Sequence, residues 1–228
     1  MDIGKVGRVS QPVNQDPGSK RRYDATRRAE NAAATRRSIL ESARELFVAQ
    51  GYGRTTVAEI AAHASVAVDT VYATVGRKPA LMRELVETSI SGKDHAVPAR
   101  QRAYVQRIEA ADTAAEKIEL YAEAITDIQK RLAPIFGALR DAAVTDDDCR
   151  ALWREIGERR ARNMREFAAS LRSTGELRPD LTDQQVADVI WSMNATEYWV
   201  LLVGERRWTP RQFRTWLVDA WTRLLLAS

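Results

Sequence analysis

Residues 56–74 hold two short segments of apolar period, 56–63 and 67–74, joined by a turn of only three residues, Ala64-Ser65-Val66. Few folds accommodate that. Each segment closes about two helical turns, and so short a connection sends the second helix off steeply across the first. Ala61 is small where the two helices must approach closely. Ile60, Val66 and Val71 fall where such a pair needs apolar residues to pack on a supporting helix. The layout is a helix-turn-helix whose second helix is short enough to lie in the major groove of duplex DNA.

The flanks supply the support. A helix is expected to start near Thr35, with Ile39, Ala43, Leu46 and Phe47 as its buried stripe and Gly51 ending it in a positive-φ conformation. Thr55 or Thr56 caps the next helix, and Glu59 completes a capping box with Thr56. After the second helix, Gly76 breaks the chain and Pro79 opens another helix with Leu81, Met82, Leu85 and Val86 as its stripe.

From about Arg36 to Leu85, through Gly51-Tyr52, Thr55-Thr56-Val57, Ile60-Ala61, Thr70-Val71-Tyr72 and Gly76-Arg77-Lys78, the chain resembles the DNA-binding domain of the tetracycline-repressor (TetR) family. Two positions depart from that pattern. Ser65 stands where the family usually has Gly, at a cost of roughly 1 kcal/mol if the backbone there is left-handed. Val75 stands where the family favours Phe, a smaller side chain between the third and fourth helices.

Composition sets the frame. In 228 residues Ala, Leu, Arg and Glu dominate, with only 11 Gly and 7 Pro, and no run alternates as a strand does. The fold class is therefore all-α. The aromatic-aliphatic run Tyr198–Val203 falls far short of the ~20 residues that span a bilayer. With no basic-then-apolar leader in view, the expected location is the cytoplasm and no membrane partner is expected. The single cysteine, Cys149, reads as a helix-surface thiol; His63 and His95 are too isolated for a metal cage, and no cofactor is expected.

Residues 1–37 carry Lys5, Arg8, Lys20, Arg21, Arg22, Arg27, Arg28, Arg36 and Arg37 against Asp2, Asp16, Asp24 and Glu30. The chain's net charge of +4 thus sits almost wholly at one end, as for a protein that meets a polyanion there. Residues 1–34 lack an apolar period and read as a disordered basic arm, with room for nascent helix in the Ala-rich 29–34. Residues 35–92 make the DNA-binding domain, and 99–228 a helical effector-binding and dimerisation domain. Helices are expected there over 101–109, 113–132, 134–144, 147–174, 182–204 and 210–227, punctuated by Pro134, Gly175, Pro179, Gly204 and Pro210.

Direct base readout favours Arg, Lys, Asn and Gln, and the second helix offers none. Its groove-facing candidates are Ala67, Val68, Asp69, Thr70, Ala73 and Thr74. Their apolar parts suit thymine methyls, while Asp69 either accepts from a cytosine amino group or simply favours the helix N-terminus. The resemblance implies backbone grips at Tyr72 and Lys78, with Thr56 and its neighbouring N–H groups at a further phosphate. Specificity beyond that falls to Arg21, Arg22, Arg27 and Arg28, as an extended arm in the adjacent minor groove.

The 182–204 segment is apolar on two faces, which must both be covered. The family's pairing of its last two helices across a two-fold axis implies a homodimer through Val186, Val189, Ile190, Met193, Phe213, Trp216, Leu217, Ala220 and Leu224, on a two-fold double-stranded operator. The resemblance also implies a small-molecule effector. Tyr121, Ile128, Phe136, Trp153, Ile156, Trp191, Asn194 and Tyr198 are the candidate lining, and Asn194 and Glu197 stand out as polar interruptions. Against an enzyme stands the lack of any carboxylate pair, nucleophile–base pair or phosphate loop. Glu155, Glu158 and Glu166, interleaved with arginines 154, 159, 160, 162 and 165, read as a charged outer face. The other rival is a helical protein–protein adaptor with weak DNA binding, suggested by the bland second helix.

Overall fold

A computed structural model describes the backbone of residues 17–227 and the side chains of residues 26–227. Helix α1 spans Pro17–Gln50 as one 34-residue element. The expected start at Thr35, with a disordered segment before it, is corrected for residues 17–34. Residues 1–16 lie outside the described residues. Between Gly18 and Gly51 there is no Gly or Pro, and the Ala, Arg and Glu of this stretch are strong helix formers. The missing apolar period governs burial rather than helicity: residues 26–34 are helical and exposed.

At its C-terminal end α1 buries Ile39, Ala43 and Phe47, and Gly51 takes φ 84° to end it. Helix α2 (Val57–His63) opens with the full Thr56–Glu59 capping box. Ser65 then turns the chain in the left-handed region at φ 56°, and α3 (Val68–Thr74) follows. Val75 caps α3 and packs, partly buried, against the core. Helix α4 (Lys78–Ser91) lays Leu81, Met82, Leu85 and Val86 onto that core and stops at Gly92 with φ 64°.

A 3-10 turn (Ala99–Gln101) leads into α5 (Ala103–Ala110), α6 (Ala114–Ala142) and α7 (Asp147–Arg172). Helix α6 runs unbroken through Pro134, where two helices were expected. Proline removes one hydrogen bond and crowds the preceding turn. The bond lost is the one to the Lys130 carbonyl, four residues upstream; the next carbonyl, of Arg131, accepts from Arg44 Nη1 at 2.9 Å and ties α1 to α6, and Ile135 and Phe136 are buried just beyond. Packing outweighs the local penalty.

The expected 182–204 helix is instead three pieces: α8 (Asp183–Met193), α9 (Thr196–Trp199) and a π-helical turn (Val200–Glu205). Ala195 is extended at the break. A helix end leaves carbonyls without partners, and side chains answer them: Arg160 Nη2 donates to Trp191 O at 2.9 Å and Gln129 Nε2 to Asn194 O at 2.8 Å. Finally α10 (Pro210–Leu225), with a Thr209–Gln212 capping box, buries Phe213, Leu217, Trp221 and Leu225. Its end is tied down by a single antiparallel bridge, Leu177 with Leu226.

The two parts of the chain are stitched together along α4. Arg83 makes a bidentate pair with Glu155 of α7 (2.8 and 2.7 Å), and Glu87 pairs with Arg159 at 2.7 Å. Arg131 Nε of α6 donates to Ser89 O at 2.9 Å. Cys149, expected on a helix surface, is buried at the start of α7 beside the Tyr52 hydroxyl from the α1–α2 loop, and burial pushes its thiol pKa up to about 11.

Candidate functional site

The outward face of α3 follows from its length and its one anchor. Val71 is fully buried, which aims Val68, Asp69, Tyr72 and Ala73 away from the protein; Ala67, the N-cap, is exposed and Thr70 half-buried. Tyr72 is 49% exposed, a large ring left in water on a seven-residue helix. A protein has reason to keep such a ring uncovered where something else will cover it.

Thr56 sits at the N-cap of α2 with its hydroxyl and backbone N–H both on the Glu59 carboxylate (2.9 and 2.7 Å). Those bonds hold Glu59 below the usual carboxylate range, the backbone N–H contributing most. A phosphate arriving at Thr56 therefore meets an N-terminus whose first donor is already taken by an anion. Lys78, at the first position of α4, is also engaged. Its Nζ donates to Tyr52 O (2.9 Å) and Thr55 O (3.0 Å) and stands 4.2 Å over the Tyr52 ring. An ammonium has three donors, so one stays available while two hold the α1–α2 loop in place.

Arg27 and Arg28 lie exposed on α1, and Arg21 and Arg22 belong to the same helix, with side chains outside those described. The extended arm expected of residues 21–28 is thus a helix, whose rise of about 1.5 Å per residue gives less than half the reach of extended chain.

The second site lies in the larger domain. A cavity of about 170 Å³ opens between α5, α6 and α7 and the α8–α9 break. Of the eight expected lining residues it brings together Tyr121, Ile128, Phe136, Ile156 and Asn194. Three fall elsewhere. Trp153 stands behind Phe136 in a ring stack at 4.5 Å. Trp191 lies on the surface under the Arg160 guanidinium (5.0 Å). Tyr198 is exposed and packs on Trp216 at 5.4 Å.

Asn194 is 2% exposed and saturated. Its Nδ2 donates to Tyr121 Oη (2.7 Å) and contacts Met164 Sδ (3.1 Å), while its Oδ1 accepts from Arg160 Nη2. Burial raises the Tyr121 hydroxyl well above the ordinary phenol range. Glu197, the other polar interruption, is exposed.

Sequence reading missed Arg159 and Arg160, both assigned to an outer charged face; in the fold they line the cavity. The signal was there, because 156, 159, 160, 163, 164 and 167 share one helical face with Ile156, Met164 and Phe167. It was masked by arginines at 154, 162 and 165 pointing elsewhere.

The nine residues expected at a dimer interface divide in two. Val186, Ile190, Met193, Phe213 and Leu217 are buried inside the protomer, so their assignment to an interface is corrected: they fill the chain's own core. Val189, Trp216, Ala220 and Leu224 stay partly or largely exposed. On α10 the last three recur every fourth residue beside the buried stripe 213/217/221/225, an apolar strip left on the surface.

Comparison with known proteins agrees with this geometry. Residues 39–85 match the profile of the bacterial regulatory proteins of the tetR family. The fold is similar to that of SmeT in complex with triclosan (TM-score 0.68, 17% identity, covering 86% of this chain and 93% of that one). It is similar also to native NalD, the secondary repressor of the MexAB-OprM multidrug efflux pump in Pseudomonas aeruginosa (0.67, 18%, 86% and 99%). A Saccharomonospora viridis protein in complex with choline aligns too (0.63, 16%, 85% and 98%). No protein of curated function matches the chain in sequence.

Proposed function

We propose, for a chain that belongs to the TetR family of DNA-binding transcriptional regulators, that it is a ligand-responsive repressor acting in the cytoplasm. It binds a two-fold operator as a homodimer and leaves it when a small, largely apolar effector fills the cavity. The observation that carries this reading is the face of α3, where exposed Val68, Asp69, Tyr72 and Ala73 stand on a fully buried Val71. A single such helix supplies little affinity, and pairing two heads on half-sites one helical turn apart is the geometric remedy. The exposed strip Trp216, Ala220 and Leu224 supports α10 as the pairing element.

Within each head we assign Tyr72, the third donor of Lys78 and the α2 N-terminus at Thr56 to phosphates, and Ala67, Val68, Asp69, Thr70 and Ala73 to base edges. The helical N-terminal extension bearing Arg21, Arg22, Arg27 and Arg28 adds long-range attraction to the backbone. Small molecules in structures of this fold, triclosan and choline among them, support the cavity as the effector site. Selection from a library of genomic DNA fragments tests the reading. Recovery of a two-fold motif is the expected result, whereas no enrichment at moderate salt would favour the helical adaptor.

A further inference from the structure

The cavity wall is apolar over most of its area, with Tyr121, Ile125, Ile128, Phe136, Ile156 and Phe167 on it. Its charged groups are unbalanced. Arg100, Arg102, Arg159 and Arg160 line it against Glu109 and Glu166. Two of the four arginines are committed to protein carbonyls: Arg102 Nε to Val97 O at 2.9 Å, and Arg160 to Trp191 O and Asn194 Oδ1. Arg159 is different. Its Nη1 pairs with one oxygen of Glu87 at 2.7 Å, and its Nη2 is buried with no hydrogen-bond partner among the described residues. A guanidinium presents a fork that takes a carboxylate through two parallel bonds, and buried donors are almost always paired. Here the fork is half filled, on a residue that lines the cavity.

We propose that the cavity takes a small organic anion, a carboxylate on an apolar body of about one ring, and that Arg159 receives the carboxylate. Taking the cavity as the effector site, this names the effector's chemical class. The volume, about 170 Å³, is close to that of an engineered apolar cavity of ~150 Å³ that holds benzene. The choice of an anion also connects the cavity to DNA. Glu87 lies on α4, the helix that carries the DNA-reading head, and Arg159 on α7 is its ion partner. A carboxylate on Arg159 brings a second negative charge beside Glu87 and competes for the same fork. Of the two described ion pairs between α4 and α7, that leaves Arg83–Glu155, and α4 is freer to tilt. Anion binding and operator binding are thereby antagonistic, each weakening the other by the same factor.

The test uses three probes with one ring each: benzoate, its neutral amide benzamide, and benzyltrimethylammonium, titrated calorimetrically into the full-length protein. Charge-assisted bonds are roughly twice as strong as neutral ones, so benzoate should bind about tenfold more tightly than benzamide, and the cation more weakly than either. Arg159→Gln should remove the benzoate preference while leaving benzamide affinity unchanged. Glu87→Gln, which keeps Arg159 and removes its competitor, should tighten benzoate severalfold and leave benzamide alone; a purely structural role for the pair would not produce that opposite sign. Circular dichroism checks that each variant remains folded; if Arg159→Gln does not, Glu87→Gln still decides. Equal affinities for benzoate and benzamide, or a benzoate preference that survives in a folded Arg159→Gln, would overturn the anion assignment while leaving the cavity as effector site. Saturable binding of none of the three would overturn both.

Discussion

Ser65→Gly should make this protein more stable, although it removes a side chain and adds none. Ser65 holds φ 56° in the three-residue turn between α2 and α3, with its N–H on Ala62 O at 3.1 Å and the Val66 N–H on Ala61 O at 2.9 Å. Those bonds fix the backbone, so serine cannot relax out of the left-handed region. A residue with a Cβ costs about 1–2 kcal/mol there, and glycine returns roughly 0.5–1 kcal/mol of that through its greater freedom in the unfolded chain. The net expectation is a gain of about 0.5–1 kcal/mol, or ~1–4 °C in midpoint for a chain of this size. Gly51→Ala is the mirror experiment. Gly51 has φ 84° and open space where a Cβ would go, so the loss of about the same size is purely conformational. Urea titrations at one fixed protein concentration report both, with the slope m unchanged. A Ser65→Gly midpoint at or below that of the parent, at equal m, would refute the strain argument.

Three further outcomes follow from the fold. Lys78→Ala should weaken specific and non-specific DNA alike and make the slope of log K against log salt shallower by about 0.9. It should also lower the thermal midpoint, since the Tyr52 and Thr55 carbonyls lose their donor; an altered sequence preference at an unchanged salt slope would refute the backbone assignment. Ala220→Glu with Leu224→Glu should convert dimer to monomer in sedimentation without loss of helicity, whereas Leu217→Glu should unfold the domain, because Leu217 is fully buried. The double variant remaining dimeric would place the interface elsewhere. Cys149, with its thiol pKa pushed up to about 11 by burial, is protonated at pH 8; thiolate forms only as the pH rises towards that value. Iodoacetamide should label it slowly in the native protein and quickly in urea, and fast native labelling would refute its burial.

The helix-turn-helix was legible because its determinants are local. Thr56 and Glu59 cap, Ala61 permits approach, Gly51 and Ser65 turn the chain, and all lie within a few residues of what they control. The distribution of charge and the all-α class were legible for the same reason. What misled was information held at a distance. Pro134 reads as a helix break until Ile135 and Phe136, just beyond it, are seen buried in the core. Asn194 reads as the middle of a helix until Gln129 and Arg160 are seen holding the carbonyls that its break exposes. A helix with two apolar faces announces that both are covered, but not by what; Val186 and Ile190 face the chain's own core, while Val189 does so only in part. Arginine adds a further ambiguity. Its long apolar stem lets Arg159 and Arg160 join a cavity wall from positions that periodicity shares with solvent.

The break at Asn194 has one amide in two neighbourhoods. Its side chain holds the Tyr121 hydroxyl in the cavity wall, and through Arg160 it is bonded to the Trp191 carbonyl on the helix whose Trp191 and, beyond the break, Tyr198 face outwards. Whatever occupies the cavity and whatever covers that outer surface therefore bear on one set of hydrogen bonds. A perturbation at either end must be accommodated at the other, and such coupling is reciprocal by thermodynamic necessity. If the proposed homodimer covers that surface, the amount of effector needed for half-saturation should shift with the concentration of the protein itself.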